Sequence, residues 1–129
     1  MQHSLFKILT LSLTLLNCTS AWSTDVETLL AGKQAPYGVV FEIVSGEPGL
    51  LKKLLPDIKA DIKKLRDRFP ELPVAIVTHG NEQFDLLTEN RSRETVAHSL
   101  VEELVNSNDV NVHVCGTHAE WKNKASDDF

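Results

Sequence analysis

The stretch "PVAIVTHG", Pro73 to Gly80, contains the feature that decides the fold. Val74 to Val77 is a short, unbroken apolar run, and His79-Gly80 follows it as a turn signal. An apolar run of this length without polar alternation is typical of a strand that is covered on both faces, as strands of parallel sheets are. The stretch therefore predicts a strand of a parallel sheet.

Two more strands are predicted, one on each side of this stretch in the sequence. "GVVFEIVS", Gly38 to Ser45, is rich in β-branched and aromatic residues and stops at a Gly-Glu-Pro-Gly turn. Val110 to Cys115 alternates valines with more polar side chains, the pattern of a half-buried strand. The chain thus contains three predicted strands.

Helical patterns separate the strands. From Leu50 to Phe69, apolar residues recur at steps of three and four, which predicts an amphipathic helix. Pro56 is expected at its first turn or at a kink, because proline lacks an N–H and clashes with the preceding turn. A shorter helix is expected from Thr117, after the third strand. Trp121 and Phe84 are expected to be packing residues.

A second helix is predicted after Asn90 or Ser92, either of which can act as its N-cap. His98 on this helix is expected at the surface. Asn90-Arg91-Ser92 also matches the short N-glycosylation pattern. The predicted buried stripe consists of Val96, Leu100, Val101, Leu104 and Val105.

The alternation of strands and helices predicts an α/β fold, a three-layer sandwich with a mostly parallel sheet and right-handed crossovers. Residues 24–129 are expected to form one domain. Three strands are few for such a sheet. We therefore expect the domain to lack its last strand or to borrow sheet surface from a partner.

The first 23 residues have the layout of a secretory signal peptide. Lys7 precedes the apolar run Ile8 to Leu16, and Ala21-Trp22-Ser23 supplies the small residues of a cleavage site. A periplasmic or secreted protein is predicted, with no membrane contact after cleavage. Its formal net charge is −5 before cleavage, and both signs are interleaved. Nucleic-acid binding is disfavoured, because it needs clustered Lys and Arg.

Signal cleavage would remove one of the two cysteines, Cys18, and leave Cys115. A lone cysteine in an exported chain cannot form an internal disulfide. It is a buried inert thiol, an intermolecular bridge or a reactive group. Composition alone leaves these alternatives open.

The ends of the predicted strands collect the candidate site residues. Ligands of open parallel sheets gather beyond the carboxyl ends of the strands, where this chain places His79 and Cys115-Gly116-Thr117-His118. Cys115 precedes a helix start, which favours the thiolate. Gly116 would allow close approach to the backbone, and His118 would act as a charged neighbour or proton carrier.

Each of these residues also has a structural interpretation. Cys115 can be a small buried hydrophobe, and His79 before Gly80 can be a turn residue bonded to backbone. A metal site formed by Cys115, His118 and His79 lacks tight ligand spacing, so no metal or cofactor is predicted.

Three stretches give the chain a resemblance to the DsrE/DsrF-like family of small sulfur-handling α/β proteins: "GVVFEIVSGEP", "VAIVTHGNEQFDLL" and "VNVHVCGTHAEW". The resemblance covers roughly Tyr37 to Trp121 and lies in the order and spacing of the stretches. It implies a parallel-sheet α/β sandwich that assembles into trimers or hexamers. It also implies sulfur carried as a persulfide on Cys115. The family's pattern continues through a further helix and strand beyond Phe129, and its sulfur-relay members work in the cytoplasm.

Two functions of different classes follow from these observations. The first is an exported DsrE-like protein that accepts or transfers sulfur on Cys115, with Gly116, His118 and His79 in support. Its partner would be a sulfur donor or acceptor, either a protein or a small thiol. The second is a non-catalytic, oligomeric binding or assembly module with a buried inert cysteine. Whether the chain turns over a substrate as an enzyme stays open at this point.

Overall fold

The computed structural model describes residues 24–129, so the predicted signal peptide lies outside the described residues. The sheet has three strands, β1 (Val39–Ile43), β2 (Val74–Thr78) and β3 (Val110–Val114). All pairings are parallel, and the strand order is β1-β2-β3. The three strands and the α/β class are therefore confirmed, and β2 is the central strand.

Four α-helices accompany the sheet in the described part of the chain: α1 (Val26–Ala31), α2 (Leu51–Arg68), α3 (Thr95–Asn108) and α4 (Gly116–Trp121). Shorter 3₁₀ turns span Asn81–Leu86, Thr88–Asn90 and Ser126–Asp128. Asp25 caps α1 by accepting a hydrogen bond from the Thr28 amide at 2.7 Å. None of the described helices is long and apolar enough to span a membrane.

Helices α2 and α3 pack on the same face of the sheet. With strands in sequential order, two right-handed crossovers place both connecting helices on one side. Alternate strand residues point into this layer, and Ile76 and Leu65 are fully buried there. The fold is consistent with a three-layer sandwich, of which residues 24–129 supply the sheet and this helix layer. Its core contains Ile43, Leu51, Leu55, Ile62, Leu65, Phe69, Leu72, Val74, Ile76, Leu86, Ala97, Leu104 and Val110.

The buried side of α3 differs from the predicted stripe. Leu104 is buried and Leu100 and Val101 pack against the core, as predicted. Val96 and Val105 are exposed instead, and Ala97 and His98 are buried. The prediction that His98 lies at the surface was therefore wrong. The core-facing residues are therefore Ala97, Leu100, Val101 and Leu104, which recur at steps of three and four.

Three local predictions also need correction. The N-cap of α3 is Glu94, without a side-chain cap, because the Asn90 amide instead donates to the Phe84 carbonyl at 2.8 Å. That bond and its partial burial disfavour glycosylation of Asn90. Pro56 lies at the sixth residue of α2, so the expectation of the first turn was wrong and that of a kink stays a prediction. Trp121 is largely exposed rather than packed.

Candidate functional site

The carboxyl ends of the three strands meet at one edge of the sheet, as the sequence predicts. Ile43, Thr78 and Val114 are the last residues of the strands and form one row across the sheet. The next residues of β2 and β3, His79 and Cys115, follow this row side by side. Side chains alternate along strands, so these two lie on the sheet face opposite α2 and α3.

Cys115 is a free, half-buried thiol at this edge. Its backbone N–H is held twice, by the Thr78 carbonyl at 3.0 Å and by Gln83 Oε1 at 2.8 Å. The side chains of Gln83, His118 and His79 also lie at this edge. Their hydrogen bonds and ion pair involve atoms other than the Cys115 sulfur. The main chain of the cysteine is therefore fixed, while its side chain is neither sealed in the core nor fully open.

Gly116 begins α4 and is exposed. A Cβ built on it would meet nothing within 4 Å. The predicted open approach to the backbone at Gly116 therefore has the space that it requires.

His118 reaches across from α4 to the end of β2. Its Nδ1 lies 2.9 Å from the carbonyl oxygen of His79. A carbonyl only accepts, so Nδ1 carries the proton and the lone pair of the neutral ring is on Nε2. The ring also meets Phe84 edge-on, with 5.1 Å between ring centroids. His118 thus ties α4 to β2, and the structure joins it to His79 rather than to the thiol.

His79 pairs with Glu42 on the sheet face away from the helices. Its Nε2 lies 3.2 Å from Glu42 Oε1, and both side chains are substantially exposed. Because β2 and β3 are adjacent and Thr78 pairs with Val114, the next residues, His79 and Cys115, lie side by side. Of the two predicted supporting histidines, His79 shares its face with the thiol.

Three polar residues that the sequence did not single out are buried beneath the strand ends. Glu82, Gln83 and Asp85 all lie in the 3₁₀ segment Asn81–Leu86 and are at most 4% exposed. The sequence signal that could have identified them is a run of polar side chains interrupted by Phe84 and Leu86. Each of the three accepts hydrogen bonds from backbone N–H groups of distant segments.

Glu82 joins the ends of β1 and β2. One carboxylate oxygen accepts from the Ser45 amide at 2.9 Å, and the other accepts from the Gly80 amide at 2.8 Å. The next residue, Gln83, holds the end of β3 through Cys115. We call Glu82 and Gln83 the strand-end clamp, because together they fix the end of every strand in the sheet.

Asp85 occupies the start of α2. Both of its carboxylate oxygens accept from the Gly49 amide, at 2.8 and 2.9 Å. Burial raises the pKa of the Asp85 carboxyl, and nearby Glu94 acts in the same direction. The amides of Gly49 and Leu51 and the charge of Lys52 oppose this rise. A carboxylate of the chain itself therefore fills the helix N-terminus, where anionic ligands of α/β proteins often bind.

Ionisation of Asp85 should lower the free energy of unfolding as the pH rises. A carboxyl whose pKa is raised on folding binds its proton more tightly in the folded state. Its stabilising contribution is full below the ordinary pKa and is lost as pH rises through the raised one. We therefore expect the unfolding free energy of Asp85→Asn, relative to the parent, to increase as the pH rises from about 4, the ordinary pKa of an aspartate. Urea unfolding across this range measures the difference.

Asp57→Asn is the control, since it removes one negative charge from an exposed position. A difference between Asp85→Asn and the parent that falls with rising pH, or that does not change, would contradict the assignment.

Other site chemistry is limited at this edge. Among residues 24–129, no group of three or more His, Cys, Asp or Glu side chains is placed to hold a metal ion. A groove of about 630 Å³ follows α4 on the helix side of the sheet and is lined by Val114, Gly116, Ala119 and Phe129, among others, but not by Cys115. The thiol therefore lies outside this groove, at the edge of the sheet.

Comparison of the chain with protein-family models, curated proteins and solved structures found no match.

Proposed function

We propose that this protein is an exported, DsrE-like sulfur carrier that accepts and passes on sulfur as a persulfide on Cys115. The observation that supports this most is the state of the thiol. Cys115 is free, half-exposed and positioned at the ligand-gathering edge, with its main chain held by the strand-end clamp. A fixed backbone beside an unengaged sulfur suits a group that must meet an incoming reagent in one geometry.

The transfer step needs a persulfide donor, R–S–SH, and no other reactant. The Cys115 thiolate attacks the outer sulfur of the donor, so a new S–S bond forms and the donor's S–S bond breaks. The products are Cys115–S–SH and the donor thiolate R–S⁻. The cysteine sulfur is oxidised, and the donor's inner sulfur is reduced by the same amount. An acceptor thiolate reverses the step and regenerates Cys115.

The neighbours of the thiol support this chemistry in different ways. His79, beside Cys115 on the same sheet face, would take the thiol proton or stabilise the thiolate. His118 would act at longer range through its free Nε2. Gly116 presents open backbone to a bulky donor. Partners of this kind are a small thiol persulfide or a donor protein, met in the periplasm or outside the cell.

Intact-mass spectrometry tests the proposal directly. The full chain is incubated with polysulfide and desalted, and its intact mass is then measured. We expect a gain of one sulfur atom, which is lost on treatment with a reducing thiol. Cys115→Ser should lose the gain, whereas Cys18→Ser should keep it in any chain that retains residue 18. An unmodified parent protein, or a gain that persists in Cys115→Ser, would reject the proposal.

A second candidate function is a non-catalytic binding or assembly module. Such a module could assemble into the trimers or hexamers that the family resemblance implies. The open sheet face supports this candidate. Val40 on β1 is 64% exposed, and Val44, just beyond the end of β1, is 69% exposed. In such a module Cys115→Ser would leave assembly and biological activity intact. Loss of activity at unchanged stability and unchanged assembly would exclude it.

A further inference from the structure

The sheet face opposite α2 and α3 is uncovered by any element in the described part of the chain. Its residues, at alternate positions of the strands, are Val40, Glu42, Ala75, Val77, Asn111 and His113. Those on β1 and β3 are exposed, and the two on central β2 are half-buried between their neighbours. Parallel sheets are ordinarily covered on both faces, so this face calls for a partner layer.

The strand residues of this face form two rows across the sheet, and Val44, His79 and Cys115 form the next level beyond the strand ends. One row is Val40, Ala75 and Asn111, and the next is Glu42, Val77 and His113. In the second row a carboxylate lies on one edge strand, an imidazole lies on the other, and an apolar residue lies between them. The row is therefore complementary in charge to the same row with its two edge strands exchanged.

A second copy of the chain supplies that exchanged order. Rotation by 180° about an axis parallel to β2, in the plane between two facing sheets, brings β1 of one copy over β3 of the other and leaves each row at its own level. Glu42, which also lies 3.2 Å from His79 Nε2 of its own chain, then faces His113 of the copy, and Val77 faces Val77. Rotation about an axis perpendicular to the strands would instead stack β1 on β1 and set Glu42 near Glu42, which repels.

We propose that this face binds a second copy of the chain, sheet against sheet, about a two-fold axis that runs along β2. Two sheets packed in this way lie about 10 Å apart with their strands roughly aligned. Central contacts would be apolar, with Ala75 and Val77 of both copies meeting at the axis, and the Glu42–His113 pairs would lie at the two margins. Each interface would contain two such pairs, as two-fold symmetry requires.

The patch is only three strands wide, so it buries less than the roughly 800 Å² per partner of a standard interface. We therefore expect a weak dimer, with a dissociation constant of about 10 to 100 µM. The inference does not use the chemistry of Cys115. Cys115 lies at the next level of the same face, so the monomer of this weak dimer would be the form that meets a sulfur donor. Sedimentation tests the dimer and intact mass tests the persulfide, so the failure of one proposal is distinguishable from the failure of the other.

Sedimentation velocity of the purified full chain over a concentration series tests the dimer. Val77→Asp places a charge against its own copy at the axis and should raise the dissociation constant by at least about tenfold. Val40→Lys, on an exposed edge position, should weaken the dimer without the risk to folding that a central strand carries. Circular dichroism confirms that each variant is folded.

A charge exchange tests the axis. His113→Glu alone sets a carboxylate at position 113 against Glu42 of the copy and should weaken the dimer. Adding Glu42→Lys should restore it, because an ammonium group at position 42 then faces the new carboxylate. A protein that stays monomeric up to about 500 µM, a dimer that Val77→Asp and Val40→Lys leave unchanged, or a double variant as weak as His113→Glu would each overturn the proposal.

Discussion

Gly80→Ala is expected to lower the free energy of unfolding by about 3 kcal/mol or more. A Cβ at residue 80 would lie 1.9 Å from the Ser45 carbonyl oxygen, 2.2 Å from Glu82 Oε2 and 2.5 Å from the Ser45 nitrogen. Two of these atoms belong to the backbone that continues β1, and the third belongs to the buried carboxylate that clamps it. None can move away without breaking a hydrogen bond that fixes a strand end.

The backbone conformation at Gly80 is not the reason for this effect. Its φ is −97°, which residues with side chains also adopt. The glycine is required because β1 and β2 approach one another too closely at their ends to admit a methyl group. Steric exclusion alone therefore accounts for the expected loss.

Gly116→Ala is the matched control for Gly80→Ala. It makes the same chemical change at the end of the neighbouring strand, where a Cβ meets nothing within 4 Å. Because Gly116 is the first residue of α4, alanine there should leave stability unchanged or raise it by up to about 0.5 kcal/mol. Urea unfolding of both variants gives the comparison. Equal effects at the two glycines would show that the close approach at Gly80 is relieved at little cost.

The strands and long helices could be predicted because their signals are local. The apolar run Val74 to Val77 and the three-four spacing of α2 depend on residues within one element, and both elements form as expected. Parallel pairing followed from the alternation of strands and helices. That topology was enough to bring His79 and Cys115 to one edge of the sheet.

The strand-end clamp could not be predicted because its partners are distant in sequence. Glu82 bonds Ser45, which is 37 residues away, and Gln83 bonds Cys115, which is 32 residues away. In the sequence both are polar residues that follow a turn, which is the ordinary signature of a solvent-exposed loop. Only the assembled sheet presents the backbone N–H groups that draw these side chains inward.

The buried side of α3 was misjudged for a related reason. Periodicity favours large apolar residues as the buried stripe, yet Val96 is 55% exposed and His98 only 7%. The contact surface of a helix depends on what it packs against as well as on its own pattern. Here the core adds Ala97 to the predicted Leu100, Val101 and Leu104 and leaves Val96 facing outward.

Removal of the Glu82 carboxylate is the second change with a large expected effect. Glu82→Ala leaves the amides of Ser45 and Gly80 without their acceptor and opens a cavity at a fully buried position. Loss of two such acceptors together with the packing should lower the unfolding free energy by about 3 to 5 kcal/mol. Glu82→Gln keeps the shape but sets an NH₂ group against one amide, so a loss of about 1 to 3 kcal/mol is expected.

Glu89→Ala is the control, since Glu89 is exposed and its ion pair with Lys124 is at the surface. It should change stability by less than about 1 kcal/mol. The predicted order of destabilisation is therefore Glu82→Ala, then Glu82→Gln, then Glu89→Ala. If Glu82→Ala were as mild as Glu89→Ala, the carboxylate would not be holding the strand ends together.

The same variants connect the clamp to the thiol. Gln83 follows Glu82 directly and fixes the Cys115 amide, so release of one half of the clamp should loosen the other. Local opening of the edge would expose the half-buried sulfur for a larger fraction of the time. We expect Cys115 to react faster with a thiol reagent in Glu82→Gln than in Glu89→Ala under conditions in which both variants remain folded. Equal rates would mean that the position of Cys115 depends on β3 and the Thr78 carbonyl rather than on the clamp.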